Sequence, residues 1–117
     1  MDGSRTEKLD AGNNVKSVTI TETGTAAANV DFYFTYDRAG SFTSASGLNL
    51  GHSQAKNGMN GEGSNTVSID AEGNAVIQGA GGYYLRFNST AGDTNYRFRY
   101  YTADKLNPVA LYKLIEG

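Results

Sequence analysis

The chain has one histidine, His52, and no cysteine. A nucleophile–histidine–carboxylate triad would therefore have to use His52, with Ser53 and Ser41 nearby in sequence. No G-x-S-x-G elbow is present to expose such a serine. His52 is expected to face solvent at the end of a strand. Without thiolates and with a single imidazole, no histidine-rich or cysteine metal site can be assembled. Acid–base hydrolysis would need two converging carboxylates, drawn from Asp31, Asp37, Glu62, Asp70 and Glu72. Most of these fall in turns, where Asp and Glu bond backbone or meet water. Asp70, Glu72 and Asn74 place three oxygen-bearing side chains in five residues, but without the spacing of a calcium loop. A hairpin turn needs no ion there. Gly79–Gly82 is followed by neither a helix nor a Lys-Ser/Thr pair, so a phosphate-cradling loop fails. The expectation is no catalytic residue, no metal ligand and no cofactor.

The residues best suited to recognition lie near the C-terminus. In Tyr83–Asn88, Tyr83, Leu85 and Phe87 alternate with Tyr84, Arg86 and Asn88. In Tyr96–Tyr101, Tyr96, Phe98 and Tyr100 alternate with Arg97, Arg99 and Tyr101. Period-two alternation marks a half-buried strand. If the two runs pair, Tyr84, Arg86, Arg97, Arg99 and Tyr101 share the outward face and are the candidate ligand-binding residues. Guanidinium groups take carboxylates, sulfates or phosphates bidentately, and tyrosine rings stack. The same residues also suit a solvated face, where arginine stems shield aromatics and discourage edge pairing. Both readings stay open.

The elements that must hold this face are strands. The chain has 117 residues, 15 glycines, one proline, eight tyrosines and five phenylalanines, a composition of short strands and tight turns. Strand signals recur at Val15–Thr23, Val30–Tyr36, Ser41–Thr43, Leu48–His52, Thr66–Asp70 and Ala75–Gln78 before the C-terminal runs. The fold expected is all-β: one antiparallel sandwich or partly closed barrel of seven to nine short strands, with a β-trefoil as the minor alternative. Its core should draw on Val18, Ile20, Phe32, Phe34, Leu50, Val67, Ile69, Leu85, Phe87, Phe98, Val109 and Leu111. Residues 57–65 read as a mobile surface loop, and residues 1–14 as a tail or linker outside a β-domain of residues 15–117. The net charge of −2 argues against a general nucleic-acid binder. No run of about 18 apolar residues offers a membrane span, and the first residues lack the apolar stretch of a signal peptide.

The runs YYLRFN, YRFRYY and VALYKL, at residues 83–88, 96–101 and 109–114, form a recurring order. Together with Val67–Ile77 they resemble the C-terminal part of β-rich modules in secreted and surface-anchored proteins of Bacteroidetes. The resemblance covers about residues 65–117. It departs at the missing tryptophan and at Lys105-Leu106-Asn107, where the pattern carries a glycine-glutamine pair. It implies an extracytoplasmic, non-catalytic module, either a monomer or part of a larger multidomain protein. The expected role is binding or adhesion to a glycan or a host protein through the Arg/Tyr face. The alternatives are a structural spacer without a ligand and, third, an accessory domain of a carbohydrate-acting enzyme.

Overall fold

Period-two patterning becomes antiparallel pairing wherever both partners are in view. The computed structural model describes residues 1–10, 14–15, 19–20, 26–27, 33–88, 96–102 and 106–111. These form nine short strands: β1 (Thr19–Ile20), β2 (Ala26–Ala27), β3 (Phe34–Tyr36), β4 (Phe42–Ser44), β5 (Asn49–Leu50), β6 (Thr66–Ile69), β7 (Ala75–Gln78), β8 (Tyr84–Asn88) and β9 (Arg97–Tyr101). The chain is all-β, with no helix among the described residues. β3-β4-β5 make one antiparallel sheet and β6-β7-β8-β9 another, while β1 pairs with β2 alone among the described residues. Both larger sheets are open among the described residues, an arrangement compatible with a small sandwich. Val18, Phe32 and residues 112–115 of the last expected run lie outside the described residues, as does the Ile20 side chain.

The core is made where the two larger sheets meet. Phe42 and Leu50 come from the three-stranded sheet; Ala75, Ile77, Leu85 and Tyr100 come from the four-stranded one. Alternation explains the selection: on β4, Phe42 and Ser44 are buried on either side of exposed Thr43. Phe34, Val67 and Phe98, expected as core, are only partly buried and pack against its margin, and Phe87 is likewise half-buried. Two expected core residues are exposed instead, Ile69 at 60% and Leu111 at 47%. Ile69 ends β6, the strand at one edge of its sheet, so inward alternation there leads past the core rather than into it.

Two segments without strand patterning and the start of the VALYKL run complete the interior. Leu9, Met59 and Val109 all join the core cluster. The expected exclusion of residues 1–14 from the fold therefore does not hold for the described part. The Ser46 N–H donates to the Gly3 carbonyl, and the Ser46 hydroxyl donates to that of Arg5. Asn14 is fully buried. Its amide nitrogen donates to the Leu9 and Phe98 carbonyls, and its Oδ1 accepts the Phe98 N–H at 2.7 Å. A side-chain amide thus occupies the place of a neighbouring strand on the outer edge of β9. One residue pair further on, Gly58 and Tyr100 exchange both backbone hydrogen bonds. The 57–65 segment is correspondingly no free surface loop: Gly58, Met59 and Asn65 are buried. These contacts satisfy outward-facing groups of an edge strand that would otherwise template pairing.

The far side of β8 is closed by a different device. β7 and β8 pair only at Gln78↔Tyr84, next to the Gly79–Gly82 turn. Beyond that pair the 107–109 segment enters the fork. Asn107 exchanges two hydrogen bonds with Phe87, and the Val109 carbonyl accepts from Ala75. Pro108 lies between them and has no N–H to satisfy.

Candidate functional site

The pairing of β8 with β9 sets the arginine face. Its register places Tyr84 opposite Tyr101, Arg86 opposite Arg99 and Asn88 opposite Arg97. All five candidate residues therefore share one side of the ladder, as the alternation predicts. Their environments differ. Tyr101 is buried at 7% exposure, so its ring serves packing rather than contact with a ligand. Tyr84, Arg86, Arg97 and Arg99 are half-buried.

The N-terminal segment supplies a carboxylate to this face. Asp10 accepts from Arg99 Nε at 3.0 Å and from Nη2 at 2.9 Å, a bidentate fork. Arg97 Nη1 lies 3.8 Å from the same carboxylate. Like charges directly opposite each other on a ladder repel, and Asp10 offsets that cost at the Arg99 end. Among the described residues, no carboxylate pairs with Arg86. Arg97 and Arg99 thus share the Asp10 carboxylate, and among the described residues this side of the ladder carries more positive than negative charge. Beside it opens a shallow cleft of about 250 Å³, lined by Asp10, Arg99, His52, Lys56 and Asn57. A second cavity of about 300 Å³ shares the Met59 and Asn60 wall and runs along Glu7, Lys8 and Leu9.

His52 is not solvent-facing as expected; it is 2% exposed. Its Nδ1 accepts the Asn60 N–H at 3.1 Å, so Nε2 carries the hydrogen donated to the Lys56 carbonyl at 2.8 Å. Both nitrogens are engaged by backbone, and neither meets a hydroxyl. The ring organises the 52–60 loop and lies 5.7 Å from the Tyr100 ring. Tyr100 in turn donates its hydroxyl to Asn65 Oδ1 at 2.5 Å. Asn65 Nδ2 donates to the Gly40 and Leu50 carbonyls. One buried phenol and one amide thus tie the four-stranded sheet to the three-stranded one. Burial pushes the Tyr100 phenol well above its ordinary value, and the bond to Asn65 opposes that only in part.

The carboxylates weighed for acid–base chemistry do local work where they are described. Asp37 Oδ1 accepts the N–H groups of Ala39 and Ser41, and Asp70 Oδ1 those of Glu72 and Asn74. Glu62 accepts from Ser53. Asp31 lies outside the described residues. Among the described residues, no group of three or more His, Asp or Glu side chains is placed to hold a metal ion.

Sequence reasoning missed Asp10, Asn14 and Asn65, and gave His52 the wrong surroundings. Leu9, the only aliphatic residue larger than alanine between Asp2 and Asn14, was the one available signal that this segment packs. Nothing separates Asn65 from the other turn-forming residues around it. Compared with protein-family models, curated proteins and solved structures, the chain matches none. The functional reading therefore rests on the site itself.

Proposed function

We propose that the chain is a non-catalytic binding module of a bacterial surface or secreted protein, taking an acidic glycan at the β8–β9 arginine face. The observation that carries this reading is the charge count on one ladder: Arg86, Arg97 and Arg99 against Asp10 alone among the described residues. Asp10 also demonstrates the geometry such a ligand would use, a carboxylate seated in the Arg99 fork. The adjoining cleft brings Lys56, Asn57 and Gln54 to the same end of the face, and these can donate to sulfate, carboxylate or hydroxyl groups. The extracytoplasmic setting follows from the resemblance at residues 83–88, 96–101 and 109–114. A spacer role is the second reading, favoured by the burial of Tyr101 and by the commitment of Arg99 to Asp10.

The test is a panel of sialylated and sulfated oligosaccharides, with an Arg86→Ala/Arg97→Ala double variant. That pair leaves the Asp10–Arg99 clamp intact, so the variant should fold. Binding by the parent that disappears in the folded double variant supports the reading. Absence of binding by the parent at high protein concentration leaves the spacer role.

A further inference from the structure

We propose that the turn between β3 and β4 carries a second binding site, for the face of a neutral sugar ring, built from Tyr36, Asp37 and Arg38. Nothing in this site depends on the arginine ladder, and the two can stand or fall separately.

Its platform is Tyr36. The register pairs Tyr36 with Phe42 across the hairpin, and their rings stack at 4.5 Å with 17° between planes. Phe42 is buried, while Tyr36 stays 39% exposed. A tyrosine ring held flat on a core residue is an immobilised, amphipathic surface that costs little further entropy to use. The apolar face of a pyranose, with its C–H bonds, is the ligand shape that such a plane receives, and the hydroxyls around its rim then need an acceptor and a donor.

Asp37 and Arg38 follow Tyr36 directly. Asp37 Oδ1 accepts the Ala39 N–H at 2.7 Å and the Ser41 N–H at 2.9 Å. Both bonds use the same oxygen, which leaves the second oxygen outside them, while the Ser41 hydroxyl adds a weaker contribution to the carboxyl. The N–H groups of Ser41 and Ala39 keep this carboxyl below its ordinary value, hence ionised and able to accept from a sugar hydroxyl. Arg38 is exposed and has φ of +65°. A side-chain-bearing residue in this left-handed region is strained in a way that glycine is not. Such strain gathers where a side chain is used, and the guanidinium supplies the donor that the ring hydroxyls need.

The experiment is a titration of the ¹⁵N-labelled chain with the methyl glycosides of galactose, glucose, mannose and N-acetylglucosamine, to tens of millimolar. Expected are saturable shifts at the amides of residues 36–41 with at least one glycoside. Two variants locate the contact. Tyr36→Leu still covers Phe42 but removes the flat ring; Arg38→Gly removes the guanidinium and relieves the backbone. Each should weaken binding at least about tenfold, and Arg38→Gly should remain folded with an unchanged or higher thermal midpoint. No saturable shift at residues 36–41 with any of the four overturns the proposal. So does binding that both folded variants retain, or that depends on Arg86 and Arg97 instead.

Discussion

Two five-residue turns in this chain share one design and differ in one residue's conformation. Asp37-Arg38-Ala39-Gly40-Ser41 joins β3 to β4, and Asp70-Ala71-Glu72-Gly73-Asn74 joins β6 to β7. In each, the aspartate Oδ1 accepts the N–H groups two and four residues on. In each, the first N–H donates to the last carbonyl, and the fourth residue is a left-handed glycine. The 70–74 turn needs nothing more. The 37–41 turn also holds Arg38 in the left-handed region, while Ala71 stays out of it. A turn of this kind therefore does not by itself require the conformation of Arg38. The second difference is docking: the Gly40 carbonyl accepts both the backbone N–H and the side-chain amide of Asn65. Gly73 meets open space. One turn is part of the molecule's interior seam, and the other only reverses the chain.

Mutations can break this comparison, most severely at the glycines. A Cβ at Gly40 would collide with the Asn65 carbonyl oxygen, and the left-handed φ adds its own cost. Gly40→Ala should lose about 3–5 kcal/mol in urea unfolding. Gly73→Ala, strained but unobstructed, should lose only about 1–2 kcal/mol. Equal losses would mean that the 37–41 turn is not docked.

Removing the hydroxyl behind that seam comes next. Tyr100→Phe leaves Asn65 Oδ1 without its donor from Tyr100 and should cost about 1–3 kcal/mol. The parent should also be alkali-sensitive in a way this variant is not. The folded phenol titrates above its ordinary value of 10.0. Folding is therefore favoured by the protonated phenol below that value, and the contribution is lost as pH rises beyond it. Unfolding midpoints followed upward from pH 9 should diverge between parent and variant.

Smaller effects come from the aspartates and from Arg38. Asp37 titrates below its ordinary 3.8, so its contribution is present above that value and fades as pH falls through the lowered one. Asp37→Asn should flatten this part of the acid limb of a melting-temperature profile. The smallest change should have opposite signs in the two turns. Arg38→Gly should be neutral to stabilising by up to about 1 kcal/mol, whereas Ala71→Gly should destabilise by about 0.5–1 kcal/mol. A clear loss at Arg38→Gly would show that its guanidinium holds the fold.

The ladder was legible because its information is local. Tyr83–Asn88 and Tyr96–Tyr101 each alternate without a break, and pairing them as a hairpin puts the three arginines on one side whichever register is chosen within that parity. What covers the face was not legible. Asp10 lies 89 residues from Arg99, in a segment with no periodicity. Asn14 acts as a strand surrogate through one amide group, which leaves no mark in a sequence beyond an asparagine. His52 is a similar case: a lone imidazole among Gly, Ser and Asn looks solvated. Only when the 52–60 backbone folds around it do both nitrogens find partners.

The sequence by itself determined the all-β class, the strand alternation and the shared side of Tyr84, Arg86, Arg97, Arg99 and Tyr101. These follow from steric preferences and a two-residue period that act within each segment. Tertiary structure decided which parts of that pattern meet water. It buried Tyr101, exposed Ile69, closed the outer edge of β9 with Asn14 and Gly58, and placed one carboxylate between the guanidinium groups of Arg97 and Arg99. Those outcomes depend on long-range packing and on satisfying buried polar groups. Both are properties of where segments meet, not of any segment read alone.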